Sequence, residues 1–211
     1  MKWSDEYWPL LIQLYKRKPE GVKPLYSRRL VDISLSLHIT PQELHRKMHE
    51  LRRLDTPSLK RLWDELANSR HKLEKAVKTI KQQQGMGNAK EFFKGVATNE
   101  TFERDFRTVD KKRKIKPVHL IMILALYFHL TPTTMVEETD EVKVLALLLK
   151  LPTKQIIEIM EVFQQCDPYV SREKDQHHPL HKACKEVWNR FGNNDLETLE
   201  TLAAQLREYF R

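Results

Sequence analysis

Glycine is scarce in this 211-residue chain, with five residues against ten prolines. Stretches that alternate Val or Thr with polar residues are equally rare. The chain therefore has neither the turn glycines nor the period-two patterning expected of a β-sheet protein. Cysteine is rarer still: Cys166 and Cys184 cannot build a disulfide framework and read as reduced thiols of a cytoplasmic protein. No apolar run reaches the ~18–20 residues that a membrane span needs. The longest, Val118 to Leu130, is interrupted by His119 and His129 and reads as a buried core helix. The opening MKWSDEYWP lacks the basic-then-apolar pattern of a secretion signal. P-loop, nucleophile-elbow, kinase, CxxC and HExxH patterns are all missing, so neither an enzyme nor a bound cofactor is expected. Gly85 and Gly87 form a GxG, but no strand precedes it, which excludes a nucleotide-binding loop.

Charge is plentiful and unevenly placed. Residues 1–116 hold 27 Lys and Arg against 15 Asp and Glu, a net of +12; residues 117–211 hold 10 against 14, a net of −4. The front half either faces a polyanion or attracts the acidic half behind it.

Helical periodicity dominates throughout. A first helix is expected over about Trp8 to Lys18, with Leu11, Leu14 and Tyr15 inward and Pro9 tolerated in its first turn. Trp3 and Tyr7 just before it form either a partner site or an arm pinned on that helix. Lys16 to Arg29 is a basic loop punctuated by Pro19, Gly21 and Pro24. A third helix should run from Pro57 to about Gln84, with Asn68–Ser69 the point where it could break and the glycines beyond it as a stop. Asn88 caps a short helix carrying Phe92, Phe93 and Val96, and another carries Phe102 and Phe106. The basic tetrad Lys111–Lys114 falls where a linker between halves is expected. A leucine-rich helix capped by Asp195 closes the chain, with Leu196, Leu199, Leu202 and Leu206 on one stripe.

One pattern occurs twice. DISLSLHITPQELHRKMHELRRLD, Asp32 to Asp55, aligns with VLALLLKLPTKQIIEIMEVFQQCD, Val144 to Asp167, 112 residues downstream. Leu37 pairs with Leu149, Ile39 with Leu151, Leu44 with Ile156, Met48 with Met160 and Leu51 with Phe163. In the first copy, Thr40–Pro41–Gln42–Glu43 signals a helix start, with Thr40 as cap, Pro41 at N1 and Glu43 completing a capping box. At about 100° per residue, Leu44, Met48, Leu51 and Leu54 face inward while Gln42, His45, Arg46, His49, Arg52 and Arg53 face outward. The second copy shows Lys154, Ile157, Glu158, Glu161 and Gln165 outward, a mixed face that would repel phosphate.

A helix-turn-helix protein lays its second helix in the DNA major groove. Here that helix is Pro41 to Leu54, with Gln42, His45, Arg46 and His49 toward bases and Arg52, Arg53 and Lys60 toward phosphates. The turn His38–Ile39–Thr40 lacks the glycine usual in such units. His178, His181 and Cys184, with Cys166 or Asp175 as a fourth ligand, have spacings that could converge on zinc. A polar loop leading into a helix accounts for them as well, and no metal is expected.

The combination YWPLLIQLY, KPLYSRRLVDISL, HITPQELHRKMHELRRLDTPSLKRLWD, LIMILALYFHLTP and VFQQCDPY resembles a family of uncharacterised bacterial all-helical proteins with helix-turn-helix-like units. The resemblance implies a helical fold and carries no activity, cofactor or site residue with it. The expected fold is therefore all-α, with about nine helices in two related halves: residues 1–84, basic and helix-turn-helix-like; 85–116, connecting helices and basic linker; and 117–211. Two partners fit, DNA on the basic face or a protein docked by a helical scaffold, and neither requires a membrane.

Overall fold

The computed structural model of the chain describes residues 3–82, 101–170, 178–193 and 195–211. The expected helix end at Gly85–Gly87, the short helix capped by Asn88, and Asp175 lie outside the described residues. Among those described, the chain is all-helical, with eleven α-helices and no strand beyond an isolated bridge between Asp110 and Ile115. Nine helices were expected. Part of the excess comes from Pro57–Gln82, which forms two helices rather than one. The chain divides into two compact units, residues 1–99 and 100–211.

The first unit is organised around α1 (Trp8–Tyr15), whose Leu10, Leu11, Ile12 and Leu14 are buried against four other helices. These are α2 (Arg28–Leu37), α3 (Pro41–Arg53), α4 (Pro57–Leu66) and α5 (Arg70–Gln82). A helix so apolar on all sides is stable only when surrounded. Trp3 and Tyr7 pack on this core as a pinned arm, with the Trp3 and Trp8 indoles both donating to Asp5 Oδ1 at 3.1 Å. The break between α4 and α5 falls at Asn68–Ser69, where the Ser69 hydroxyl accepts the Lys72 N–H at 3.4 Å, so the serine caps a new helix.

The second unit is built on α7 (Pro117–His129), which follows the short α6 (Thr101–Phe106) and is buried along nearly its whole length. Helices α8 (Asp140–Leu149), α9 (Thr153–Cys166), α10 (His181–Phe191) and α11 (Leu196–Phe210) surround it. The basic tetrad, expected in a linker, forms a tight turn in this unit. Asp110 Oδ1 accepts the N–H groups of Lys112 and Arg113 at 2.8 and 3.0 Å, Lys114 takes φ 55°, and Ile115 is fully buried. In α11, Leu199 and Leu206 of the leucine stripe are buried together with Ala203, while Leu202 is half-buried and Leu196 is exposed.

The two aligned segments turn their corners alike. His38 after α2 and Lys150 after α8 both adopt the left-handed conformation, at φ/ψ 54°/37° and 56°/43°. The next amide reaches back five residues in each case, Ile39 to the Ser34 carbonyl at 3.1 Å and Leu151 to the Ala146 carbonyl at 3.0 Å. That is the bond pattern of a helix end capped by a left-handed residue. The turn does need the conformation that glycine adopts most easily; here histidine and lysine adopt it at a cost of about 1–2 kcal/mol.

Candidate nucleic-acid interface

The candidate face is the outer side of α3. Its start follows from local chemistry: Thr40 Oγ1 accepts the Glu43 N–H at 3.3 Å, and Pro41 occupies the first turn, where its missing N–H costs nothing. The expected capping box is half formed, because the Glu43 carboxylate turns to Arg46 instead. Leu44, Met48 and Leu51 are buried in the core of the first unit, which fixes the rotation of the helix about its axis. Leu54, expected on the inward stripe, follows the helix as its left-handed C-cap at φ 53°.

With that rotation fixed, Gln42, Arg46, His49, Arg52 and Arg53 are exposed, as is Lys60 on α4, while His45 is half-buried. Arg46 is paired with Glu43, and Arg53 Nη2 lies 3.1 Å from Asp55 Oδ2; both guanidiniums remain about two-thirds exposed. Exposed pairs of this kind contribute about 0–1 kcal/mol and open readily. Arg52 and Arg53 also complement the negative end of the α3 dipole, which gives them a local structural role.

The N-terminal part of the face is less open to a ligand. Gln42 Nε2 donates to Tyr26 Oη at 2.8 Å, tying α3 to the segment before α2. The His45 and His49 rings meet edge to face with centroids 4.8 Å apart. Burial, and next the neighbouring His49, hold His45 below the usual histidine range, opposed by a hydrogen bond to the Lys23 backbone.

Sequence reasoning missed Lys47. Its ammonium pairs with Glu50 at 2.7 Å and lies 5.4 Å from the Trp3 ring centroid and 5.7 Å from that of Trp8. The Trp-rich start of the chain was the available signal, since a cation on a neighbouring helix is a natural partner for indole ring faces. In the basic loop, Lys16 and Lys23 are structural: Lys16 donates to the Ala67 carbonyl, and Lys23 to those of Arg17 and Pro19. Arg17, Lys18, Arg28 and Arg29 remain exposed there.

Of the two outward carboxylates of the second copy, Glu158 is engaged within its own unit. Glu158 Oε1 accepts from Arg113 at 3.0 Å and meets His178 Nε2 at 2.8 Å. His178 Nδ1 accepts the Leu180 N–H at 3.2 Å, so both its ring nitrogens are occupied. Cys184 is fully buried, and its thiol is pushed up by that burial and by neighbouring Cys166. Among the described residues, no three His, Cys, Asp or Glu side chains are grouped to hold a metal ion. His129 pairs with Glu200 at 3.0 Å, and no helix among the described residues is long and apolar enough to cross a membrane. No family model, curated protein or solved structure matches the chain.

Proposed function

We propose that this chain binds DNA through the exposed side of α3, as a regulator-like protein. The observation that carries the reading is the coexistence on one helix of a fully buried stripe, Leu44, Met48 and Leu51, and an opposite stripe of exposed Arg46, His49, Arg52 and Arg53. An anchored helix with cations on its free side is suited to lie along phosphates, which supply most of the affinity in protein–DNA complexes. Base reading is the weaker component. Gln42 is already held by Tyr26, and the paired His45 and His49 rings offer little of the bidentate chemistry that distinguishes bases. The reading is therefore of a phosphate-tracking contact with modest sequence preference. The matching left-handed corners at His38 and Lys150 support a related proposal, that the two halves derive from one helical unit of which only the first kept a cationic face.

A second reading, a helical module that docks a protein partner, draws support from Glu43 and Asp55, which partly neutralise Arg46 and Arg53. One titration separates the two. Fluorescence anisotropy of a mixed-sequence duplex, at several salt concentrations, should show log affinity falling linearly with log salt. The Arg46/Arg52/Arg53→Ala variant should lose about 2–3 from that slope, near 0.9 per phosphate contact. Absence of binding at low salt would refute the DNA reading and leave the docking module.

A further inference from the structure

The outer side of α5 carries a row of lysines that the fold itself does not use. Leu73, Val77 and Ile80 are buried in the core of the first unit, which fixes the rotation of the helix. At about 100° per residue, Lys75 and Lys78 then lie opposite the buried stripe with Lys72 beside them, and all three are exposed. Lys81, also exposed, continues the row at the same three-residue spacing. Glu74, the one acidic residue of α5, is taken by Arg70 at 2.7 Å. Among the described residues, no carboxylate pairs with Lys72, Lys75 or Lys78. This arrangement breaks two local rules. Lysines three apart on a helix are neighbours and repel, and a merely solvated helix interleaves them with glutamates. Arg70 and Lys72 also stand in the first turn, where free N–H groups disfavour cations, and no acidic residue balances them there.

We propose that this row is a second, sequence-independent contact of the first unit with the phosphate backbone of DNA. Local rules broken without a compensating internal contact mark functional positions, and the ligand that fits a row of free ammonium groups is a chain of anions. Lys72 to Lys78 spans about 9 Å along α5, a length over which one DNA strand presents about three phosphates. Every exposed residue of α5 is polar or charged. An anionic membrane surface would engage an amphipathic helix through its apolar side, which here is buried in the core, and a protein partner would need apolar anchors. A phosphate backbone needs neither. The proposal shares with the reading of α3 the premise that DNA is the ligand, but it places the contact on a separate helix; both helices pack on α1.

Anisotropy titrations of the full chain test it, with Lys72/Lys75/Lys78→Gln beside Arg46/Arg52/Arg53→Ala and with two duplexes of unrelated sequence. The lysine variant should lose about 2–3 from the salt slope, near 0.9 per phosphate contact, and equally on both duplexes. Glutamine keeps the helix propensity and removes the repulsion, so the urea midpoint of the variant should be unchanged or higher. A slope kept by the lysine variant but reduced in the arginine variant overturns the α5 contact and leaves the α3 reading standing. The reverse pattern supports α5 and removes α3. A lowered urea midpoint would show that the row serves the fold, and also overturns the proposal. So would tighter binding to phosphatidylserine vesicles than to duplex, lost in the lysine variant, which would make the row a membrane contact. Absence of duplex binding by the unaltered chain at low salt overturns both readings.

Discussion

His119 should make the second unit acid-sensitive. The residue lies at the third position of α7, where its Nδ1 accepts the Lys116 N–H at 3.4 Å. Its ring packs on Phe210 with centroids 5.2 Å apart and is 5% exposed. Burial, and next the Lys116 ammonium, hold it down to about 4 from an ordinary 6.5. The helix N-terminus acts in the same sense, because its free N–H groups repel a cation. Above pH 6.5 both folded and unfolded chains carry neutral His119, and stability is unaffected. Between 6.5 and 4 the unfolded chain takes the proton and the folded one does not. Stability therefore falls by about 1.4 kcal/mol per pH unit and levels off below pH 4, a total near 3 kcal/mol. Between pH 7.5 and pH 4.5 the loss should be about 2.5 kcal/mol. Carboxylates titrate in the same range, so the comparison is with His119→Gln, which keeps an acceptor for the Lys116 N–H and cannot protonate. Urea unfolding of both proteins at the two pH values, followed by NMR signals from α7, isolates the histidine contribution. The wild type should lose about 2.5 kcal/mol more than the variant. Losses equal to within about 0.5 kcal/mol would refute the reasoning, as would a His119 imidazole resonance titrating near its ordinary 6.5.

Two further outcomes follow from the same unit. Asp105 is held by Arg190 through two parallel bonds of 2.6 and 2.8 Å, with the carboxylate mostly buried. Asp105→Asn should cost about 2 kcal/mol in urea unfolding, and a cost under about 0.5 kcal/mol would mean that the pair is solvated in solution. Lys114 is exposed and holds φ 55° in the turn of the basic tetrad. Lys114→Gly should stabilise by about 0.5–1 kcal/mol, since glycine relieves the left-handed strain but gains entropy when unfolded; destabilisation would show that the turn depends on the lysine side chain.

Much of the fold was legible because helices announce themselves locally. Thr40–Pro41 and Thr56–Pro57 start helices through a hydroxyl and a fixed φ that act within one turn of chain. The buried stripe of α3 and the fully apolar α7 were readable from spacing alone. The α3 face was legible as a set of residues but not as a set of available groups. Glu43 was expected to return to the backbone of Thr40, yet Arg46 offered a charged partner on the neighbouring turn, and Gln42 was taken by Tyr26 from another segment. The missing glycine at the corner was a real deviation from the usual sequence, but the packing of α2 and α3 held His38 in the left-handed region regardless.

The sequence by itself determined that this protein is helical, where most of its helices begin, and which side of each could be buried, because capping and amphipathic spacing are short-range properties. Tertiary structure decided the rest. It placed the basic tetrad in a turn closed by Asp110 and Ile115, gave Lys47 to the rings of Trp3 and Trp8, and made His119 a neutral cap inside the core. It also left Val144 and Leu147 uncovered among the described residues. Each of these depends on which segments, distant along the chain, arrive at one point in space; local spacing does not encode that meeting, and burial there sets whether a side chain is charged, paired or available to a partner.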